Sequence, residues 1–156
     1  MSPHILVLDA NILIRAVLGN KVRQYLLAFS EEVDFFSPDT CLEEAQKYLP
    51  LLFEKRGIAS EIPLQVFSKV KNLLKIIDKS IYQERAIEAQ LRIKDRDFRD
   101  WPAVATALLF NCPIWTEDKD FFGVGLPVWT TDRIHLYFNS LQDKSEHRLS
   151  ESECLV

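Results

Sequence analysis

Short runs of apolar residues alternate along the chain with longer segments in which apolar residues recur at helical spacing. The first run, residues 4–8, is aliphatic after His4 and ends abruptly at Asp9, which predicts a buried strand. Further short apolar runs predict strands at 33–36, 74–77, 113–115 and 128–130. Such an alternation predicts an α/β protein with three layers, in which helices cover both faces of a mostly parallel sheet.

Helices are predicted in the segments between the strands. Ser37 and Pro38 suit the N-cap and the first residue of a helix. That helix carries Leu42, Ala45 and Leu49 on one face. The segment 94–99 is polar and predicts a loop. The remaining predicted helices cover residues 10–18, 21–29, 61–74, 81–93, 100–110 and 132–138.

The length of 156 residues fits one domain, and the 47% apolar and 27% charged residues are ordinary for a globular protein. We place this domain at 1–138 and expect 139–156, which is polar and aromatic-free, to be a flexible tail. No apolar run approaches the roughly 18–20 residues that span a bilayer, which predicts no membrane association. Residues 1–4 show no signal-peptide pattern.

Charge and cysteine content narrow the classes of function. The net charge of −4 argues against binding a phosphate backbone through bulk charge alone. Cys41, Cys112 and Cys154 are far apart and show no zinc-ligand spacing or disulfide framework. We therefore expect a reducing, cytoplasmic setting.

Carboxylates follow the predicted strands. Asp9 follows the first, Glu43 and Glu44 lie in the helix after the second, and Asp100 opens the helix that leads to the 113–115 strand. Asp118 follows that strand. Because parallel strands present their carboxyl ends at one edge of the sheet, these acids are expected to meet there. Crowded carboxylates repel one another unless a cation offsets the charge, and Mg²⁺ or Mn²⁺ suits an all-oxygen site.

Each acid taken singly also has a structural interpretation. Asp9 and Asp100 fit helix N-caps, and Glu43 and Glu44 fit first-turn positions that favour negative charge. Asp118 fits an ordinary turn. These separate interpretations do not explain why all the acids follow strands at one edge of the sheet, so we favour the shared site.

Four segments resemble the motifs of the PIN-domain family of metal-dependent nucleases, in the right order between residues 4 and 138. VLDANIL (7–13) resembles its opening strand and SPDTCLEEAQKYL (37–49) its second motif. RDFRDWPAVATAL (96–108) is similar to the third motif, and PIWTEDKDFF (113–122) to the fourth. The resemblance implies a three-layer fold and metal-dependent phosphodiester hydrolysis, mostly of single-stranded RNA.

The resemblance also assigns roles to residues. It implies that the metal-holding and catalytic acids are Asp9, Glu44, Asp100 and Asp118. The register of the second motif leaves Glu43 open beside Glu44. The further candidates are Asn11, Asp97, Thr116 and Asp120. Ala10 departs from the family, which often has Thr or Ser after the first Asp, so a hydroxyl that could hold a ligand or water is missing.

Three functions remain open at this stage. The first is an Mg²⁺- or Mn²⁺-dependent endoribonuclease, which family membership makes a candidate toxin of a bacterial toxin–antitoxin pair, with an antitoxin partner and a homodimeric state. The second is an inactive PIN-like module that binds RNA or protein. The third is a phosphatase of the haloacid dehalogenase class, although Asn11 stands where that class needs a second Asp.

Basic and aromatic side chains near the acids could contact a substrate. The cations that could guide a phosphate backbone, or equally be solvated surface charges, are Arg15, Lys21, Arg23, Arg96, Arg99 and Lys119. Trp101 and Trp115 flank the acids and could stack on a base. Both lie in apolar runs, so we favour core packing for them.

Overall fold

The computed structural model describes residues 4–59 and 61–143, and a five-stranded sheet forms its centre. Its strands are β1 (Ile5–Leu8), β2 (Asp34–Pro38), β3 (Leu74–Ile77), β4 (Ile114–Trp115) and β5 (Val128–Trp129). The strand order is β3-β2-β1-β4-β5, and all four pairings are parallel. The predicted α/β class with a parallel sheet is confirmed.

Helices connect these strands. They are α1 (Ala10–Leu18), α2 (Lys21–Ala28), α3 (Asp39–Arg56), α4 (Glu61–Asn72), α5 (Lys79–Tyr82), α6 (Ala86–Ile93), α7 (Trp101–Phe110) and α8 (134–143). Short 3-10 turns cover Gln83–Arg85, Phe98–Asp100 and Lys119–Phe121. Within the described residues, no helix is both long and apolar enough to cross a lipid bilayer.

Two neighbouring residues of β2 show how helices cover both faces of the sheet. Successive side chains of a strand point to opposite faces. Phe35 makes an edge contact with Phe138 of α8, whereas Phe36 makes one with Phe110 of α7. The sheet is therefore the middle layer of three, as predicted.

The chain changes direction across the sheet at β1. From β1 it proceeds to β2 and β3 on one side, and it then crosses to β4 and β5 on the other. The carboxyl ends of β1 and β4 lie side by side at this switch point, with Leu8 opposite Trp115. Such a point is where open α/β sheets form their ligand crevices.

The predicted start of α3 is wrong. Ser37 and Pro38 belong to β2, where they pair with Ile76 and Ile77 of β3, and the helix begins at Asp39. The hydroxyl of buried Ser37 donates to the Leu8 carbonyl at 2.8 Å. Because a neighbouring strand takes up this hydroxyl, it is not available to cap the helix.

Two other predicted helices have different bounds. The helix expected over 81–93 is interrupted, since α5 ends at Tyr82 and α6 begins at Ala86 after a 3-10 turn. The helix expected over 100–110 begins at Trp101, because Asp100 is the last residue of the preceding 3-10 turn, which starts at Phe98.

The last helix extends beyond the predicted end of the domain. α8 continues to residue 143, and Leu141 is buried with Phe138 in the core. The predicted tail therefore starts too early, since 139–143 are helical and one of their side chains is packed. The remainder of the predicted tail, 144–156, lies outside the described residues.

Candidate metal centre

Asp9 stands at the end of β1 and also caps α1. It is buried, and one of its oxygens, Oδ1, accepts a hydrogen bond from the Ala10 backbone N–H at 2.8 Å. Burial raises the pKa of Asp9, and the charge of Asp118 adds to the rise. The hydrogen bonds that its carboxylate accepts, of which the Ala10 bond is one, act in the opposite direction. The cap interpretation is thus correct for Asp9, but it does not account for the rest of its surroundings.

Four donors surround the Asp9 carboxylate. Oδ1 also lies 3.5 Å from the Cys41 thiol, while Oδ2 accepts from Asn11 Nδ2 at 2.8 Å and from the Thr116 hydroxyl at 2.9 Å. A carboxylate has about four acceptor positions, so Asp9 is saturated by the chain itself. The thiol is the weakest of these donors, and it is the one that an incoming cation would displace most easily.

Thr116 and Asn11 join the end of β4 to the end of β1. The Thr116 hydroxyl donates to Asp9 and accepts from Asn11 Nδ2 at 3.1 Å and from the Asp118 backbone N–H at 3.0 Å. Asn11 Oδ1 in turn accepts from the Glu117 backbone N–H at 3.0 Å. The hydroxyl thereby uses its one donor and both acceptor positions, which fixes Asp9 relative to Asp118.

Asp100 precedes α7 without capping it. No N–H of the first turn donates to its side chain, in contrast to Asp9, and the second residue of the helix, Pro102, has no N–H to offer. Asp100 Oδ2 is buried and has no hydrogen-bond partner among the described residues. Burial first, and then the charges of Asp9 and Asp118, raise the pKa of Asp100 to about 8. The cap interpretation is wrong for Asp100.

Asp9, Asp100 and Asp118 come together at the switch point. Each offers an oxygen, and these three atoms lie within 4.8 Å of one another. Asp118 is held by its own 3-10 turn, where its Oδ1 accepts from the Asp120 backbone N–H at 2.9 Å. A hard divalent cation such as Mg²⁺ prefers oxygen ligands, and it would both satisfy Asp100 Oδ2 and offset the repulsion. The three carboxylates therefore fit such an ion.

The two glutamates of α3 differ in position. Both are exposed, but Glu44, one turn after Cys41, lines the cavity beside Asp9 and Asp100, whereas Glu43 does not. Burial and the charge of Asp9 raise the pKa of Glu44. Of the two alternatives that the sequence left open, the structure brings Glu44 to the acids.

The cavity beside the three aspartates has a volume of about 360 Å³. Asp97 lies in its wall and caps the 3-10 turn through the Arg99 N–H, and hydrogen bonds from Arg99 hold the pKa of Asp97 below its usual range. Sequence reasoning missed Cys41, Lys79 and Tyr82, which also line it. Lys79 could have been found, because it follows the end of β3 as closely as the acids follow theirs.

Several other candidates have structural roles. Asp120 supplies its backbone N–H to Asp118 and its carbonyl to Arg96 at 3.2 Å. Ala10 contributes only its backbone N–H to Asp9. Arg23 donates to the Ala16 carbonyl at 2.9 Å near the end of α1. These two arginines are thus occupied by backbone contacts and are less available to a substrate.

The two tryptophans near the acids also differ. Trp115 is fully buried, and its Nε1 donates to the Thr131 hydroxyl at 3.1 Å, so the predicted core packing is confirmed. Trp101 is half-buried and lines the cavity, although it also packs against Tyr82. Glu117, which the sequence did not single out, accepts from the Thr131 backbone N–H at 2.7 Å and fixes the end of β5.

A parallel sheet with carboxylates at its switch point defines a class of α/β proteins with an acidic site, and sequence comparison gives the family. The family model for the PIN domain matches residues 7–139. The chain therefore belongs to the PIN-domain family. A search of curated proteins finds no significant match to the sequence.

Solved structures show the same fold at low sequence identity. One is VapBC2 from Rickettsia felis, bound to a DNA fragment from its promoter, with a TM-score of 0.64, 16% identity and coverage of 81% of this chain and 98% of that one. PAE2754 from Pyrobaculum aerophilum has a TM-score of 0.64, 16% identity and coverage of 92% and 98%. A toxin–antitoxin complex from Klebsiella pneumoniae has a TM-score of 0.52, 21% identity and coverage of 81% and 97%.

Proposed function

We propose that this protein is a metal-dependent endoribonuclease that hydrolyses phosphodiester bonds of single-stranded RNA. The observation that carries the proposal is the unpartnered, buried Oδ2 of Asp100, which lies beside the carboxylates of Asp9 and Asp118. A folded chain tolerates such a group when a ligand satisfies it. Membership of the PIN-domain family supports nuclease chemistry for that ligand site.

In this proposal Asp9, Asp100 and Asp118 hold Mg²⁺ or Mn²⁺, and Glu44 completes the acidic set from α3. A bound divalent ion lowers the pKa of water and neutralises charge on phosphate oxygens. Thr116 and Asn11 keep the Asp9 carboxylate in place through their hydrogen bonds. Glu44, at the cavity wall, would be a further ligand of the ion, and no side chain forms a covalent intermediate.

Cleavage and metal binding measured together test the proposal. Fluorescently labelled single-stranded RNA is incubated with Mg²⁺, Mn²⁺ or a chelator, and Mn²⁺ binding is followed by isothermal titration calorimetry. We expect Asp100→Asn to weaken Mn²⁺ binding and abolish cleavage. Asp34→Asn is the matched control, because Asp34 pairs with Lys75 at 3.6 Å, away from the acids. Cleavage by Asp100→Asn at the wild-type rate would refute the assignment.

A second candidate is a PIN-domain module that binds RNA or protein without cutting. Its support is the saturation of Asp9 by four donors of the chain, together with the missing hydroxyl at Ala10. RNA binding with no cleavage in either Mg²⁺ or Mn²⁺ would favour it. The third function, a phosphatase of the haloacid dehalogenase class, has no support, since the PIN-domain family accounts for 7–139.

We further propose that the protein is the toxin of a toxin–antitoxin pair. The fold that it shares with the Rickettsia felis and Klebsiella pneumoniae complexes supports a protein antitoxin as its partner. A homodimer is proposed with it, in the cytoplasm, where the free thiols Cys41 and Cys112 remain reduced. Induced expression should arrest growth in the wild type and not in Asp100→Asn, and size-exclusion chromatography with light scattering reports the oligomeric state.

A further inference from the structure

The cavity beside the acids has a second set of groups that the metal proposal does not use. We propose that it is a subsite for one nucleotide of the single-stranded substrate, with the base against Trp101 and a phosphate between Lys79 and Arg99. This inference rests on the proposed function, since it supplies the substrate contact of the same site. At about 360 Å³ the cavity lies within the range of roughly 300–1,000 Å³ that is usual for small-molecule sites.

Trp101 provides the aromatic wall. It is the first residue of α7, directly after Asp100, so its position is fixed to that of a carboxylate of the metal centre. Its ring makes an edge contact with Tyr82, with centroids 5.5 Å apart and planes at 67°. Tyr82 is fully buried, and its hydroxyl donates to Asp39 Oδ1 at 2.6 Å. Tyr82 thus restrains the Trp101 ring, while the half-buried indole lines the cavity.

Arg99 provides a pre-oriented cation at the rim. Its Nε and one Nη donate to the two oxygens of Asp97 at 3.0 and 2.9 Å. A guanidinium has five N–H donors, so this bidentate contact leaves three for a phosphate. The Arg99 side chain is 83% exposed, and Asp97 restricts its motion without burying it.

Lys79 provides the second cation from another element, at the start of α5. It is exposed, and within 4–59 and 61–143 its ammonium group forms no ion pair. Its backbone N–H donates to Asp39 Oδ2 at 3.0 Å, which ties the start of α5 to that of α3. Both cations line the cavity, and together they would attract a phosphate to its rim.

A nucleotide is the class of ligand that uses all of these groups at once. Its base has a face that stacks on an aromatic ring whatever its sequence, and its phosphate accepts from lysine and arginine. Asp9 and Asp100 line the same cavity, so the acidic centre would then meet the neighbouring phosphodiester. The cavity therefore positions a single strand for cleavage without reading its sequence.

Binding of adenosine 5′-monophosphate and of inorganic phosphate tests the subsite without any cleavage step. Isothermal titration calorimetry with the full chain and Mg²⁺ gives both affinities. We expect Trp101→Ala to weaken binding of the mononucleotide roughly tenfold to hundredfold, because stacking is lost, and to leave phosphate binding unchanged. Trp101→Phe should restore most of the affinity. Lys79→Ala and Arg99→Ala should each lower the affinity for both ligands roughly tenfold, since each removes a charged hydrogen bond.

Lys71→Ala, at an exposed position of α4, is the control and should leave both affinities unchanged. Circular dichroism confirms that each variant is folded. Mononucleotide binding that is absent in the wild type, or unchanged in Trp101→Ala and Arg99→Ala, would overturn the subsite. If binding follows the expected pattern but RNA is not cut, the subsite stands and the proposed activity fails. If RNA is cut with the same KM in all three alanine variants, the activity stands and the subsite fails.

Discussion

The Thr116 hydroxyl donates to Oδ2 of Asp9 at 2.9 Å, although the two residues are 107 positions apart in the chain. This bond crosses from the end of β4 to the end of β1, the two strands on either side of the switch point. The same hydroxyl accepts hydrogen bonds from Asn11 Nδ2 and from the Asp118 backbone N–H, so it holds the Asp9 carboxylate in a fixed position. The geometry of the acidic centre therefore depends on a neutral residue.

Thr116→Val is expected to destabilise the protein and to weaken metal binding. Valine has the same shape but removes one of the four donors to Asp9 and leaves the Asp118 N–H without its acceptor, at a cost of about 1–3 kcal/mol in the free energy of unfolding. Urea denaturation measures the stability and isothermal titration measures the Mn²⁺ affinity.

The control is Thr106→Val, because the buried Thr106 hydroxyl donates only to the Pro102 carbonyl within α7, at 2.8 Å. That variant should lose some stability and keep its affinity for Mn²⁺. Equal Mn²⁺ affinities for Thr116→Val and the wild type would show that this hydroxyl does not orient Asp9.

Cys41 is expected to compete with the metal ion for Asp9. Its thiol is 3.5 Å from Oδ1 and is the weakest donor there. Cys41→Ala removes the competitor and should tighten Mn²⁺ binding, whereas Cys41→Ser introduces a stronger donor of similar size and should weaken it. Each change should be about twofold to tenfold, the range of one hydrogen bond. Calorimetry on chelator-treated protein measures both.

Cys112 offers matched controls, since it is also a buried free thiol and does not line the cavity. Cys112→Ala and Cys112→Ser should leave the Mn²⁺ affinity unchanged. If the two Cys41 variants change the affinity in the same direction, displacement of the thiol is not part of metal binding.

The fold could be predicted from the sequence because the buried strands have a distinct apolar pattern. The run before Asp9 is apolar at every position, as strands covered on both faces are, and the helices between strands have a clear period. The start of α3 could not be predicted, because Ser37 is an equally good cap and strand residue. Only its hydrogen bond to Leu8 in the neighbouring strand decides between them.

The acids could be predicted from the strand-end rule, but their partners could not. Asp9 and Asp100 both look like caps in the sequence. In the structure Asp9 accepts the N–H of Ala10, whereas Asp100 accepts no N–H of α7 and its Oδ2 is buried without a partner among the described residues. Cys41 reads as a plain apolar residue of α3. Its contact with Asp9 depends on how α3 approaches β1, which no local pattern encodes.

Asp100→Asn is expected to stabilise the metal-free protein increasingly as the pH rises from about 4 to 8. An unfolded aspartate loses its proton near pH 4, whereas burial and neighbouring charge raise the pKa of Asp100 in the folded chain to about 8. Between these values the unfolded state binds fewer protons, so the contribution of Asp100 to stability falls as the pH rises. Asparagine does not titrate, so the Asp100→Asn variant does not lose this stability as the pH rises.

Thermal unfolding in a chelator at several pH values measures the difference between Asp100→Asn and the wild type. Asp97→Asn is the matched control, because contact with Arg99 lowers the pKa of Asp97 and the substitution removes a favourable interaction. It should not stabilise the protein at any pH. An Asp100→Asn variant no more stable than the wild type at pH 8 would mean that the carboxylates do not repel one another as the structure implies.

Phe138→Ala tests whether α8 is part of the folded domain. Phe138 is buried and stacks on Phe29 with centroids 4.2 Å apart and on Tyr25 at 5.2 Å. Its edge contacts reach Phe35 of β2 and Trp115 of β4. Removing a buried phenylalanine of this kind costs about 3–5 kcal/mol, because the cavity left behind cannot collapse between fixed rings.

Urea denaturation of Phe138→Ala and Leu136→Ala makes the comparison within one helix. Leu136 is 47% exposed, and its substitution should change the free energy of unfolding by no more than about 0.5 kcal/mol. Equal, small effects of the two substitutions would mean that α8 is not docked on the sheet. A large effect confined to Phe138 would mean that the aromatic cluster on this face holds β2 and β4 together, and with them the strands that carry the acidic centre.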